Sequence, residues 1–317
     1  MTFKILIADK LAQEGVDAFS AADGFDVDVN VGLSPEEQQN IIGDYHGLIV
    51  RSATKVTPEL LAKADNLKIV IRAGIGVDNI NIPACTEKGV LVENTPFGNG
   101  LSAAEHAIAL LFSLARFVPQ ASASMHNKKW EKSNFVGMQL TGKTLGVIGT
   151  GNVGAMAIER AQGLKMNCIA FDPMLTDERA KDLNVEKVDL DELFARADAI
   201  TLHVPLVEGT KDLLNDDAFG KMKDGVLIVN AARGGVVNED ALVRAIDAGK
   251  VRGAAMDVFA VEPLQEDSPM IGRDEIILTP HLGASTKDAQ LSVATDAAAQ
   301  MIAYLQDGKK QFNLNDV

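Results

Sequence analysis

Short apolar runs and amphipathic stretches alternate along this chain almost without interruption. Phe3 to Ala8 has the make-up of a strand, and Leu11 to Ala21 carries helical spacing. Phe25 to Asn30 alternates apolar and polar residues as an outer strand does. Ser34-Pro35-Glu36-Glu37 predicts a helix start, with Ser34 as N-cap, Pro35 at the first helical position and Glu37 closing a capping box. Thr57-Pro58-Glu59 opens another helix in the same manner, between buried strands expected at Gly47 to Val50 and Lys68 to Ile71. Val90 to Val92 is a short last strand. Strands that alternate with helices are joined by crossovers, so this first stretch predicts a parallel sheet covered by helices on both faces.

A long apolar helix from Ser102 to about Phe117 leaves that domain, and the segment through Trp130 has a helical, polar pattern. Alternation then resumes. Leu145 to Ile148 is an apolar run, Ala155 to Lys165 is helical in pattern, and Met166 to Phe171 is a second run. Further buried strands are expected at Ala199 to Leu202, Val226 to Val229, Gly253 to Met256 and Glu275 to Leu278. A last helical pattern, from about Lys287 to Leu305, is long enough to return the chain to the first domain. The expected fold class is α/β, with two doubly wound parallel-sheet domains and a cleft between them. Residues 1–98 form the first, completed by the returning segment 286–317, and residues 99–285 form the second.

The run ending at Ile148 leads into Gly149-Thr-Gly151-Asn152-Val153-Gly154, a G-x-G-x-x-G turn between strand and helix. In such a turn the first glycine makes the tight bend and the second lets the backbone approach a pyrophosphate. The third lets helix pack on strand, while the helix N-terminus offers N–H groups and partial positive charge. Asp172 closes the following run, at the spacing where an acid accepts from the adenine ribose hydroxyls. A 2′-phosphate beside that carboxylate would be repelled by ~4 kcal/mol at ~4 Å and an effective dielectric of ~20. Pro173-Met174-Leu175 supplies no arginine to offset this, so NAD is favoured over NADP.

Composition narrows the partners. The 317 residues suit about two domains at ~150 residues each. A net charge of −14 argues against nucleic acid, whose phosphates need a basic face. Cys85 and Cys168 form no paired motif and read as buried thiols, and no His/Asp/Glu spacing resembles a metal site. The first residues read as a strand too short for a signal-peptide core. Ser113 and Arg116 interrupt the most apolar helix, so a membrane span is not expected. Together these readings predict a soluble cytoplasmic protein.

The polar residues with candidate chemistry share one placement. Asp172, His203, Arg233, Asp257 and His281 follow the C-terminal ends of expected strands, as do Arg51 and Arg72 in the first domain. In open parallel sheets that edge binds ligands. His281 precedes a small-residue turn that leaves its ring free, and Glu262 follows Asp257 after a short loop. A carboxylate paired with an imidazole would fix its tautomer and stabilise its protonated form. Arg233, within Asn-Ala-Ala-Arg-Gly-Gly, can offer a two-pronged donor to a carboxylate. Asp257 could accept from a nicotinamide amide or only cap a loop. His46 and His126 read as solvated loop residues and His106 as packed in an apolar helix. His203 could line the cofactor site but has no evident partner.

Arg72-Ala-Gly-Ile-Gly-Val-Asp-Asn79, Gly149 to Gly154, His203-Val-Pro205, Asn230-Ala-Ala-Arg-Gly-Gly235, Asp257 with Glu262-Pro263, and Pro280-His-Leu-Gly-Ala284 together resemble the D-isomer-specific 2-hydroxyacid dehydrogenases. The resemblance covers essentially the whole chain. It implies a Rossmann NAD-binding domain and a flavodoxin-like substrate domain. It makes His281 the acid/base, Glu262 its partner and Arg233 the substrate clamp. Gly149, Gly151, Asn152, Val153, Gly154, Asp172, His203, Val204, Pro205, Ala231, Asp257 and Ile75 would line the NAD site. Arg51, Ser52, Arg72, Ala73, Gly74, Gly76 and Asn99 would hold the substrate. The resemblance further implies a phosphorylated 2-hydroxy acid, D-3-phosphoglycerate, as substrate, and since a phosphate needs cations, Arg51 and Arg72 are placed to supply them; hydroxypyruvate, glyoxylate or another 2-keto acid is the alternative. The family resemblance also implies a homodimer, or a dimer-based oligomer, through the long-helix region near Trp130. A non-enzymatic NAD-sensing interaction protein, of the corepressor kind, is a further reading. The chain ends soon after His281, so a form without a C-terminal regulatory domain is expected.

Overall fold

The computed structural model describes residues 2–317. They fall into two compact units, residues 2–100 with Ser285–Val317, and Leu101–Ala284.

In the first unit the chain runs β1 (Phe3–Ile7), α1 (Gln13–Ser20), β2 (Phe25–Val29), α2 (Pro35–Ile41), β3 (Gly47–Val50), α3 (Pro58–Ala62), β4 (Ile69–Arg72), α4 (Ile82–Lys88) and β5 (Leu91–Asn94). All five strands are parallel, in the order β2-β1-β3-β4-β5, which is the flavodoxin-like winding. Period-two geometry sends alternate side chains to opposite faces. Leu6, Leu48, Val70 and Val92 pack on one side with Ile42, Leu60 and Cys85. Ile5, Ile49, Ile69 and Leu91 pack on the other with Phe19, Val293 and Met301.

The capping box of α2 is formed, with Glu37 N–H donating to Ser34 Oγ at 3.3 Å and Ser34 N–H to Glu37 Oε2 at 2.8 Å. Thr57 caps α3 in turn. Helix α4 has no counterpart among the elements expected from sequence. Its seven residues are too few for a clear apolar stripe, and its ends are set by Asn81, which accepts from Ala84 N–H, and by Gly89 at φ +74°.

The second unit begins in α5 (Gly100–Arg116), whose first residue belongs to the other unit, and continues through α6 (Val118–His126), β6 (Thr144–Ile148), α7 (Asn152–Gly163), β7 (Asn167–Phe171), α8 (Asp177–Asp182), β8 (Glu186–Lys187) and α9 (Leu190–Arg196). It is completed by β9 (Ala199–Leu202), α10 (Asp216–Lys221), β10 (Val226–Asn230), α11 (Glu239–Asp247), β11 (Val251–Met256) and β12 (Ile276–Leu278). The parallel sheet has the order β12-β11-β10-β9-β6-β7-β8, a Rossmann winding whose direction reverses between β6 and β9. One face is buried under Leu110, Leu111 and Leu114 of α5 and Ile158 of α7. The other lies under Leu193, Phe219 and Leu242 of α9, α10 and α11.

Boundaries shift by a few residues from the sequence expectation, and two of the shifts bear on the candidate site and surface. Helix α7 starts at Asn152, so Gly154 lies inside its first turn. Helix α6 stops at His126, with Lys128 at φ +60°, and Trp130 stands in a loop held by Ser124, which donates to Lys129 O and Glu131 Oε2. Among the described residues no single helix is long and apolar enough to cross a membrane, and α5 and α6 meet at a 63° bend.

The chain ends back in the first unit with α12 (Lys287–Asp307), which packs along α1. The approach is close: a Cβ on Gly15 would stand 2.7 Å from Ala294. Beyond α12, Asn313 pairs antiparallel with Glu93 and Leu314 N–H donates to Val92 O at 2.8 Å, so the tail covers the open edge of β5.

Candidate active site

The glycine-rich turn sits where the second sheet reverses, and each glycine answers a different constraint. Gly149 has φ +92°, and a Cβ there would lie 2.5 Å from His203 O. A Cβ on Gly154 would lie 2.0 Å from Gly149 O. A Cβ on Gly151 would meet no protein atom within 4 Å, so packing within the protein gives no reason for its bareness. Gly151 is also the N-cap of α7, with no side-chain cap. Open space over an uncapped helix start, at the sheet's switch point, fits a pyrophosphate. Asp172 closes β7 with its carboxylate already oriented. Oδ2 accepts from Thr150 N–H at 2.7 Å and Thr150 Oγ1 at 3.0 Å, and Oδ1 accepts from Met174 N–H at 2.8 Å. The turn and the acid are thus braced together, and the residues present fit NAD. Gly149, Gly151, Asn152, Val153 and Gly154 would face the phosphates and Asp172 the ribose. Val204, Pro205 and Ala231, at the ends of β9 and β10, would line the rest.

His203 makes a bond that its sequence context did not show. Its Nε2 is 3.1 Å from Thr201 Oγ1, while Nδ1 is shielded and has no partner among the described residues. Burial of the ring holds its pKa down to about 4, so it is neutral near pH 7.

Arg233, Glu262 and His281 come from three loops of the same unit. Asn230 folds the first: Ala232 N–H donates to its Oδ1 at 3.1 Å, and its Nδ2 donates to Arg233 O at 2.9 Å. Arg233 Nη1 donates to Ala232 O at 2.6 Å. A Cβ on Gly234 would lie 1.7 Å from Phe259 O, so only glycine lets this loop rest against the one that carries Glu262. In that second loop, Phe259 N–H donates to Glu262 Oε1 at 3.1 Å. Glu262 Oε2 lies 2.8 Å from His281 Nδ1. A carboxylate on Nδ1 makes that nitrogen the N–H donor and leaves Nε2 to exchange a proton with a ligand. His281 is itself held at φ +54°, in the left-handed region that residues other than glycine rarely occupy.

Asp257, at the end of β11, is fully buried. Its Oδ1 accepts from Thr279 Oγ1 at 2.6 Å and Leu282 N–H at 2.7 Å, and its Oδ2 accepts from Gly283 N–H at 2.8 Å. His106 Nε2 stands 3.2 Å from Oδ1. Burial opposes ionisation here, but His106, Thr279 and Leu282 outweigh it and hold the pKa below the ordinary aspartate value. The bonds of Asp257 are those of a loop anchor, with both carboxylate oxygens engaged by the turn from Thr279 to Gly283. His106 is likewise no mere packing residue of α5. Nor is His46 a solvated loop residue: its Nδ1 accepts from Lys4 N–H at 3.0 Å and its ring meets Phe3 edge-on. His126 is exposed, as expected, but ends a helix.

In the first unit, the sheet reverses between β1 and β3; Arg51 and Ser52 follow β3 there, and Arg72, Ala73, Gly74 and Gly76 lie at the end of the adjacent β4. Asp9, just past β1 and buried, accepts from Arg51 N–H at 2.6 Å, Thr54 N–H at 3.2 Å and Thr54 Oγ1 at 2.8 Å. Asn79 Nδ2 donates to Arg51 O at 2.7 Å and Thr54 O at 2.6 Å. The Arg51–Thr54 turn is therefore pinned from both sides, with Ser52 exposed at its tip. Arg72 ends β4, and Gly74 and Gly76 follow it. Ile75 O accepts from Asn94 Nδ2 at 2.7 Å, and Ala73 N–H donates to Val50 O at 2.9 Å. Asn99 Oδ1 is shielded and unpartnered among the described residues. Asp9, Thr54, Thr150 and Thr279 were not singled out from the sequence, and His106 was read only as a packed residue. Asp9 had a usable signal, because it too follows a strand end, whereas His106 is hidden in an apolar helix.

No group of three or more His, Cys, Asp or Glu able to hold a metal ion occurs among the described residues. Both cysteines are buried and free.

An NAD-type turn, a braced acid, and a carboxylate-bound histidine beside an arginine loop come together in one α/β unit whose residues fit NAD. Residues 108–283 match the sequence pattern described as D-isomer specific 2-hydroxyacid dehydrogenase, NAD binding domain, and the chain belongs to that family. It is 47% identical over 299 residues to a D-3-phosphoglycerate dehydrogenase of Archaeoglobus fulgidus, covering 94% of this chain and 56% of that protein. The chain spans about half the length of the curated relatives it matches. Among solved structures, the TT0316 protein from Thermus thermophilus matches with a TM-score of 0.91 at 29% identity, over 99% of this chain and 100% of that one. A glyoxylate reductase from Paecilomyes thermophila matches with a TM-score of 0.90 at 26% identity, over 99% and 98%.

Proposed function

We propose that this chain catalyses the NAD-dependent oxidation of D-3-phosphoglycerate to 3-phosphohydroxypyruvate, and its reverse, on the route to serine. The observation that carries the chemistry is the 2.8 Å pairing of His281 Nδ1 with Glu262 Oε2 in the unit that also holds the glycine-rich turn. When bound, NAD supplies the acceptor for the hydride leaving C2 of the hydroxy acid. His281 Nε2 takes the hydroxyl proton in that direction and returns it in the other. Glu262 stabilises the imidazolium formed when the proton arrives. Help of this kind is worth ~10²–10⁴ in rate. Arg233 would clamp the substrate carboxylate and polarise its carbonyl.

The choice of a phosphorylated substrate rests on Arg51 and Arg72, at the C-terminal ends of adjacent strands of the first unit, and on the pinned turn at that unit's own switch point. The name of the Archaeoglobus relative points the same way. A glyoxylate or hydroxypyruvate reductase is the second reading, favoured by the likeness to the Paecilomyes enzyme. NADH consumption by purified protein, with 3-phosphohydroxypyruvate and hydroxypyruvate compared side by side, separates the two. A kcat/KM at least tenfold higher for the phosphorylated compound is expected; an equal or reversed preference overturns the phosphate assignment. No turnover of any 2-keto acid, with NADH binding intact, would favour the non-enzymatic reading.

A homodimer belongs to the same proposal. Trp130 is 81% exposed, and Val118, Met125 and Val136 are exposed on α6 and the segment after it. Such an apolar set suits a self-complementary contact. Light scattering should give twice the 33.7 kDa chain mass, and Trp130→Glu should lower it. Two free thiols suit a reducing compartment, which supports a cytoplasmic setting.

A further inference from the structure

Helix α5 carries one imidazole into the loop that bears His281. His106 Nε2 lies 3.2 Å from Asp257 Oδ1 and 3.4 Å from Thr279 Oγ1. Asp257 in turn receives Thr279 Oγ1, Leu282 N–H and Gly283 N–H, while its own carbonyl accepts from His281 N–H at 2.9 Å. The turn from Thr279 to Gly283 is thus wrapped around a single buried carboxylate, and His281 is its apex.

That carboxylate needs its donors. An ionised acid without solvent exposure is stable only when its lone pairs are filled, and removing one partner of a buried charge is strongly unfavourable. Three of its contacts come from the His281 turn itself, so they move whenever that turn moves. His106 is the contact from outside, on a helix packed by Leu110, Leu111 and Leu114 against the sheet. It ties the hub to a rigid element.

We propose that His106 is a positioning residue for His281, acting through Asp257 by donating from Nε2. With that donor in place, the turn holds His281 at φ +54° and keeps Nδ1 on Glu262. Without it, the Asp257 carboxylate shifts to recover hydration, the turn loosens, and the His281 ring samples its other tautomer. This reading rests on the proposed role of His281 in catalysis, but the ordering of its ring is observable without turnover.

The test compares His106→Phe, which keeps a flat ring and loses the donor, with His106→Gln, which keeps an N–H donor at similar reach. With only five histidines in the chain, ring-nitrogen NMR on histidine-labelled protein can follow His281, assigned by its loss in His281→Gln. The wild type and His106→Gln should show one tautomer with Nδ1 protonated, and His106→Phe an averaged one. In parallel, kcat for the preferred 2-keto acid should fall at least tenfold in His106→Phe, with the NADH Kd changed less than threefold and most of the rate restored in His106→Gln. A His106→Phe protein with an unaltered His281 signal overturns the proposal, as does a His106→Gln protein as disordered as His106→Phe. Lack of turnover in the wild type would defeat the proposed function instead, leaving the NMR comparison to decide this one.

Discussion

The guanidinium of Arg72 lies over Gly74, with Nη1 1.5 Å from the point that a Cβ on Gly74 would occupy. Gly74 also has φ +141°. No side chain fits there without displacing the arginine, so Gly74 shapes the placement of a neighbouring charge as well as its own turn. Gly74→Ala should therefore act as an Arg72 defect. A lost charge-assisted contact is worth ~1.5–3 kcal/mol, or roughly 10–100-fold. The fall in kcat/KM should be of that size for 3-phosphohydroxypyruvate and much smaller for hydroxypyruvate, with the NADH Kd unchanged. Equal losses for both compounds would detach Arg72 from phosphate recognition.

The glycine-rich turn predicts a contrast between two substitutions of the same kind. A Cβ on Gly151 meets open space, whereas one on Gly154 meets Gly149 O at 2.0 Å. Gly151→Ala should fold with a thermal midpoint within about a degree of the wild type, since nothing in the protein resists it, yet bind NADH at least tenfold more weakly. Gly154→Ala should lose several degrees as well, because backbone must move from backbone, a cost of ~1–3 kcal/mol for overpacking. Calorimetry with and without NADH reads both. A Gly151→Ala protein that binds NADH normally would show the open space to be unrelated to the cofactor.

How much of this was legible in the sequence follows from what each residue's chemistry depends on. The two sheets were readable because buried parallel strands are runs such as Leu145 to Ile148 or Gly47 to Val50, and strand ends such as Arg51, Asp172 and His281 stand out as polar breaks in that pattern. Which doubly wound type each sheet takes, Rossmann or flavodoxin-like, entered only through the family resemblance. Short helices such as α4 carry too few apolar positions to show a period, so only their caps could reveal them. What the sequence could not show was pairing across distance. Asp257 and His106 are 151 positions apart, and neither has a neighbour in sequence that hints at the other. The role of Asp257 as an anchor of the His281 turn therefore emerged only with its burial and its donors. His203 and Thr201, two positions apart across the end of β9, were within reach of a closer reading.

His203 gives a pH prediction. Its ordinary pKa of 6.5 is lowered to about 4 by burial, so the folded protein resists protonating it while the unfolded chain does not. Between those values the unfolded state binds more protons, and stability must fall as pH drops from 6.5 towards 4. At ~1.4 kcal/mol per pH unit the full loss is ~3 kcal/mol, complete near pH 4 and absent above about 7. His203→Gln keeps a donor for Thr201 without the titration. Chemical denaturation from about pH 4 to about pH 7.5 should show a slope in the wild type that exceeds the variant's by about this amount. Parallel slopes would mean that the ring protonates without unfolding cost.

Glu262 should matter less than His281, and by a calculable margin. Glu262→Gln keeps an oxygen facing Nδ1 but removes the charge that stabilises the imidazolium. With ~1.5–3 kcal/mol for a bond to a charged group, kcat should fall roughly 10–100-fold. Loss of the imidazole should cost more, up to ~10²–10⁴. The backbone supplies an unusual control at that position. Because His281 sits at φ +54°, glycine adopts the same geometry freely, relieving roughly 1 kcal/mol of left-handed strain. That gain is offset by the greater freedom of glycine in the unfolded chain, worth ~0.4–1 kcal/mol. His281→Gly should thus leave the thermal midpoint nearly unchanged and NADH binding intact while turnover falls by that larger factor. Combining it with Glu262→Gln should add little further loss, since the carboxylate acts only through the ring. If the double variant were instead slower by the product of the two single effects, Glu262 would have a role of its own in contact with substrate.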